Sequence, residues 1–274
     1  MNNIKRITTF VFSLLLFCGA AFAQNSKVID LWSQGAPNDN GNPADTARMH
    51  VFLPRHSIGR TVVICPGGGY SGLAMNHEGF DWVPYFNNMG ITVAVLKYRM
   101  PRGHKEVPST DACEAIRLLR EKAKAWRINP DDIGIMGFSA GGHLASTVAT
   151  QAKGDSKPNF QILFYPVITM DPAYTHMGSH DNLLGKKPGA WQEGNYSSEK
   201  NVKNDTPRAF IVLSDDDDVV SAQNGVNYYT ELYKHNVSAT LCVYPTGGHG
   251  WGMRPNFAYH LEMLNNLTNW LKSF

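Results

Sequence analysis

Short runs of Val, Ile and Leu recur along this chain at consecutive positions, and between them apolar residues return every three or four places. The short runs predict strands at residues 49–53, 61–65, 92–96, 133–136, 160–164, 209–213 and 239–243. Several are apolar on both faces, as strands buried inside a parallel sheet are. The clearest helical pattern covers residues 111–125, where Ala112, Ile116, Leu119 and Ala123 share one face. Ser109, Thr110 and Asp111 offer caps at its start, and Asn129-Pro130 punctuates the loop after it. Further helices are expected at 141–150, 221–235 and 258–272. Strands alternating with helices of this length predict an α/β fold. It would be a single domain over residues 28–274, with a mostly parallel central sheet and helices on both faces.

One stretch breaks the rhythm. Residues 169–207 are rich in Gly, Pro, Asn, Ser and Asp with little periodicity, and follow a strand. A loop this long inside a compact domain is expected to be functional or a lid, next to the crevice at the strand ends.

The first residues bear on compartment. Lys5 and Arg6 precede an apolar run, and Ala21-Phe22-Ala23 offers the small residues of a cleavage site. This reads as a secretory signal peptide over residues 1–23, cleaved after Ala23. The run is too short for a membrane span. A lipid anchor at Cys18 is the weaker alternative, because bulky Phe17 stands where a small residue is wanted. Cleavage removes two basic side chains and no acid, leaving 23 basic against 23 acidic. With no basic stripe, a nucleic-acid partner has no electrostatic support. Cys65, Cys113 and Cys242 lack the spacing of a zinc site or the density of a disulfide scaffold. Buried free thiols are expected, with one long-range disulfide the alternative.

The chemistry concentrates at three glycine-rich points, each directly after a strand. Gly137-Phe138-Ser139-Ala140-Gly141 joins the 133–136 strand to a helix of small residues. That context is a nucleophile elbow, in which small neighbours permit the sharp turn that exposes the serine hydroxyl. Pro66-Gly67-Gly68-Gly69-Tyr70 follows the 61–65 strand. Its glycines let backbone N–H groups approach a developing oxyanion, so Gly68 or Gly69 is one expected donor and Ala140 the other. Gly247-Gly248-His249-Gly250-Trp251 follows the last strand, and His249 is the expected general base. His143, in the helix after the elbow, reads as structural, whereas His77, His104, His176 and His180 lie in loops that could line a pocket. The acid must lie between Ser139 and His249 at a strand end, and Asp215, Asp216, Asp217 and Asp218 are the candidates. Four adjacent carboxylates are tolerable only if some face water while one is paired. No metal or cofactor is called for.

Together these segments resemble the α/β-hydrolase superfamily. The match is to its small carbohydrate acetyl esterases, acetylxylan-esterase-like and related to prolyl-oligopeptidase-like hydrolases. Leu96-Lys97-Tyr98-Arg99, Tyr165-Pro166-Val167 and Asn182-Leu183-Leu184-Gly185 carry the likeness further. Pro66 departs from the pattern where related esterases often have His, and Ser221 where many have Pro. The resemblance implies acyl transfer through Ser139, with an acylated carbohydrate as partner. It also implies Asp216 as the acid, the first of Asp-Asp-x-Val-Val, with Asp217 one register away. Tyr70, Trp191 and Trp251 are offered as stacking platforms for sugar rings. A serine peptidase and a non-catalytic binding protein are the rival readings. The first lacks a gating domain before residue 28, and the second predicts a broken triad.

Overall fold

The computed structural model describes residues 25–274. The expected signal segment and Cys18 lie outside the described residues. Eight strands form one sheet: β1 (Asn25–Asp30), β2 (Arg48–Leu53), β3 (Thr61–Cys65), β4 (Thr92–Lys97), β5 (Ile133–Phe138), β6 (Phe160–Phe164), β7 (Arg208–Ser214) and β8 (Ala239–Tyr244). Their order is β1-β2-β4-β3-β5-β6-β7-β8. β2 runs antiparallel to β1 and β4, while β4, β3 and β5 to β8 are parallel to one another. The seven strands expected from apolar runs are all present. β1 was not expected: it is an edge strand, largely solvent-exposed, with too few apolar residues to form a run.

The helices are α1 (Val83–Asn88), α2 (Glu106–Glu121), α3 (Ala123–Trp126), α4 (Ser139–Gln151), α5 (Met177–Leu184), α6 (Ala190–Asn195), α7 (Gln223–Lys234) and α8 (His260–Leu271). Alternate residues of each strand face opposite ways, and the core divides accordingly. Val63, Cys65, Ile133 and Ile135 pack with α2, α4 and α7 through Ile116, Leu119, Leu144, Val148 and Tyr228. Val62, Ile64, Met136 and Phe138 pack on the other face with Trp82, Phe86, Met263, Leu267 and Trp270, from α1, its preceding turn and α8. The expected helix-covered, mostly parallel sheet is therefore observed, with apolar-on-both-faces strands at its centre.

Two local expectations are corrected. α2 begins at Glu106, so Ser109, Thr110 and Asp111 lie inside it rather than at its cap. Pro108 sits in its first turn, where a missing N–H costs nothing. Ser109 and Thr110 instead hydrogen-bond back to the Glu106 carbonyl. Asp111 is fully buried and pairs with Arg99 at 2.7 Å. It also accepts from the Arg99 amide and from Trp32 Nε1. Arg99 in turn donates to Asn38, so this ion pair ties the 31–47 segment to β4 and α2.

The 169–207 stretch is the second correction. It holds α5, α6 and a short 3-10 turn at Ser198–Asn201 rather than a structureless loop. Each piece is too short to print a helical period, and each is held from outside. Ser198 Oγ accepts from Ser146 of α4, and the Ser198 amide donates to the Ile168 carbonyl.

The three described cysteines are free; Cys65 is buried as expected, whereas Cys113 and Cys242 are only partly buried. Burial pushes the Cys65 thiol far up and that of Cys113 to about 11. Among the described residues no helix is long and apolar enough to cross a membrane.

Removing one partner of a buried pair strands the other charge. Asp111→Ala should destabilise the fold by about 3–5 kcal/mol, read as a lower urea midpoint. A midpoint unchanged from wild type would show that the Arg99–Asp111 pair does not hold these segments together.

Candidate active site

The elbow forms where β5 ends and α4 begins. Ser139 is the first residue of α4 and adopts φ +51°, a left-handed conformation that is costly for a residue with a side chain. The turn survives because its neighbours are small. A β-carbon on Gly141 would lie 2.1 Å from the Cys65 carbonyl oxygen, so only glycine lets α4 approach β3 this closely. The first-turn amides of α4, including that of Ala140, have no intrahelical acceptor, and the helix dipole adds positive potential there.

His249 reaches the serine from the loop after β8. Its Nε2 accepts from Ser139 Oγ at 2.8 Å. Its Nδ1 donates to Asp217 Oδ2 at 2.7 Å. The acid that meets His249 is thus Asp217, not Asp216. β7 runs through Ser214, one residue beyond the expected end, and the Asp215 amide still pairs with the Tyr244 carbonyl. That extension moves the tip of the following turn by one position. The other oxygen of Asp217 accepts from the amides of Val219 and Val220, which fixes the carboxylate. Asp215, Asp216 and Asp218 are exposed, while the side chain of Asp217 is 1% exposed. Asp216 is a neighbour rather than a bystander, because it accepts from the amide of Gly248.

The glycine loop after β3 lies opposite. The Gly67 amide is committed to Glu78 Oε2 at 2.8 Å. No acceptor meets the amides of Gly68 or Gly69 among the described residues. Gly68 has φ +136°, and a β-carbon there would lie 2.2 Å from the Gly72 carbonyl oxygen. Gly68, Gly69 and Ala140 therefore remain the available oxyanion donors.

Sequence reasoning missed the groups that hold these loops together. Glu78, 3% exposed, receives the Gly67 amide on one oxygen and the Tyr165 hydroxyl on the other. Tyr165 OH also accepts from the Gly252 amide, three residues past His249, and its ring lies 4.8 Å from the His249 ring. Burial and then the Glu78 charge push this phenol well above its ordinary value, so it stays a donor. One buried carboxylate thus couples the oxyanion loop to the histidine loop. A lone glutamate in a loop carries no sequence signal for this role.

The remaining histidines separate cleanly. His143 is buried, accepting from Tyr70 OH and donating to the Tyr196 carbonyl, as a structural residue. Desolvation pushes its pKa down to about 4, against a smaller upward pull from Tyr196. His180 is buried between Asp181 and Glu193. His77 is fixed through its carbonyl, which accepts from Trp82 Nε1 and the Met253 amide. His176 lies near the site, with its Cε1 3.7 Å from where a β-carbon on Gly69 would stand. Of the three aromatics offered as platforms, Tyr70 is buried and Trp251 is stacked on Phe257 at 3.9 Å. Only Trp191 is exposed. No group of three or more His, Cys, Asp or Glu side chains among the described residues is arranged to hold a metal ion.

Residues 62–253 match a family described as having the alpha/beta hydrolase fold. An acetylxylan esterase of Xylanibacter ruminicola is 41% identical over 268 residues, 96% of this chain and 54% of that protein. An endo-1,4-beta-xylanase B of Butyrivibrio fibrisolvens is 30% identical over 239 residues, 81% of this chain and 37% of that protein. The chain spans about half the length, or less, of these curated relatives. Among solved structures, an acetyl ester-xyloside bifunctional hydrolase from Caldicellulosiruptor lactoaceticus superposes with TM-score 0.84 at 31% identity, covering 93% of this chain and 98% of that one.

The geometry separates two adjacent carboxylates. Asp217→Asn should lower ester turnover by about four orders of magnitude, because the amide favours the wrong histidine tautomer. Asp216→Asn removes only a charge-assisted bond to Gly248 and should cost about tenfold or less. Steady-state rates on an aryl acetate would test both. A crippled Asp216→Asn beside a near-normal Asp217→Asn would reverse the assignment.

Proposed function

This chain belongs to the alpha/beta hydrolase family, and from that premise we propose that it is a serine esterase removing short acyl groups from carbohydrate. Acetyl groups on xylan or xylo-oligosaccharides are the intended substrates. The observation that carries this reading is the hydrogen-bonded chain from Ser139 through His249 to Asp217, facing amides free to receive an oxyanion. The identity to an acetylxylan esterase, and the likeness to a hydrolase of acetyl esters and xylosides, support the choice of acetyl ester.

The reaction has two halves. Ser139 Oγ gives its proton to His249 Nε2 and attacks the ester carbon. The carbonyl oxygen gains negative charge, which the amides of Ala140 and of Gly68 or Gly69 receive. Asp217 holds the imidazole in the tautomer that accepts at Nε2, then stabilises the imidazolium. As the tetrahedral intermediate collapses, the C–O bond to the sugar breaks and the alkoxide takes the proton from His249. Water repeats the sequence on the acyl-enzyme, releasing acetate and restoring Ser139. His249 Nε2 relays each proton, first from Ser139 to the leaving alcohol and then from water back to Ser139.

We read residues 1–23 as the signal that carries the enzyme out of the cytoplasm, where a polymeric substrate would meet it. Among the described residues Cys65, Cys113 and Cys242 are free thiols.

The test is acetate release from acetylated xylo-oligosaccharides, followed by mass spectrometry of the products. Wild type should remove 42-Da acetyl increments of mass, roughly one per turnover, and Ser139→Ala should lose activity by about a million-fold. Preference for long-chain fatty esters, with no acetate released from the oligosaccharides, would sink the substrate assignment. Substantial activity in folded Ser139→Ala would sink the mechanism.

A further inference from the structure

His176 stands beside Gly69 of the glycine loop with an unspent hydrogen bond. It is the N-cap of α5, and its Nδ1 accepts from the Ser179 amide at 3.2 Å. Ser179 Oγ lies 2.8 Å from the same nitrogen. A ring nitrogen that accepts from a backbone N–H carries no hydrogen, so the hydrogen of this imidazole is on Nε2. Protonating Nδ1 would set two N–H groups against each other. Burial, then the neighbouring His249, push the same way by lowering the His176 pKa, with Asp217 partly opposing them. The ring is therefore neutral and a fixed donor that does not compete with His249 for the serine proton.

Among the described residues nothing accepts from that Nε2–H. The ring is half-buried, and its Cε1, adjacent to Nε2, faces Gly69 of the oxyanion loop. Its placement is rigid, because Asn182, further along α5, donates Nδ2 to the Gly69 carbonyl at 2.8 Å. Helix and glycine loop are thus tied together, with the imidazole held beside Gly69.

We propose that His176 is a specificity-determining residue, donating its Nε2–H to a hydroxyl of the alcohol next to the scissile ester. This rests on the carbohydrate-esterase reading for the natural alcohol, but the recognition itself needs only a vicinal hydroxyl. A sugar bearing one acetyl group presents such a hydroxyl on the adjacent carbon, whereas a plain alkyl ester does not. A site that hydrogen-bonds a substrate hydroxyl discriminates strongly against analogues lacking it.

The test compares 2-hydroxyethyl acetate with ethyl acetate in wild type and in His176→Asn. Asparagine is a good N-cap and can still accept from the Ser179 amide, but its shorter side chain withdraws the donor. Both rates come from one preparation, so their ratio does not depend on the fraction folded. Wild type should favour the hydroxy ester in kcat/KM, and His176→Asn should erase that preference, lowering the ratio of the two kcat/KM values by on the order of ten- to a hundred-fold. An unchanged ratio, or an equal fall on both esters, would overturn the proposal. Acetylated xylo-oligosaccharides run alongside separate the two readings. If wild type releases no acetate from them, the xylan assignment fails, while the ratio of the small esters still decides His176.

Discussion

The left-handed backbone at Ser139, φ +51°, is the constraint from which the site is built. A residue with a side chain holds that conformation only where its surroundings leave no alternative. Here β5 lies in the middle of the parallel sheet and α4 presses on β3, with Gly141 against the Cys65 carbonyl. The Ser139 carbonyl in turn accepts from the Val167 amide, beyond the end of β6. Relaxing the turn would break that bond and separate helix from sheet. The Ser139 hydroxyl is thus aimed by the packing of the sheet rather than by its loop alone.

A second constraint aligns the other partners to that fixed point. The oxyanion loop and the histidine loop come from strands far apart in sequence, and neither has regular secondary structure to fix it. Glu78 bridges them from behind, through the Gly67 amide and through Tyr165 to the Gly252 amide. A buried carboxylate with two charge-assisted bonds resists displacement of either loop. On the crevice side, Asn182 performs a related task by tying α5 to Gly69. The amides of the glycine loop are held from two sides, as the proposed oxyanion site requires.

This arrangement also explains why residues 169–207 form a packed element. Its helices are too short to be stable alone, and they exist because α4 and the oxyanion loop supply their partners. Tyr196 receives the His143 N–H, and Ser198 the Ser146 hydroxyl. The segment brings to the site His176, expected as a pocket-lining histidine, and Asn182, expected only as part of the family likeness. Trp251 and Tyr70 go the opposite way: both stand in motif loops, yet both fill the core.

What the sequence determined by itself is the set of short-range, strongly patterned features. Central strands read as apolar runs because both their faces are buried. Ser139, His249 and the oxyanion glycines were legible because sharp turns and close backbone approach admit so few residue types. The tertiary structure decided whatever depends on register or on distant partners. Asp217 rather than Asp216 meets His249, because β7 keeps its ladder with β8 one residue longer than its apolar run. Asp111 reads as a cap from its neighbours, but in the fold it is the buried partner of Arg99. Glu78 acts only through groups far along the chain, which local composition does not encode. A turn's chemistry is local and survives in the letters; a hydrogen bond between remote loops exists only once the sheet has brought them together.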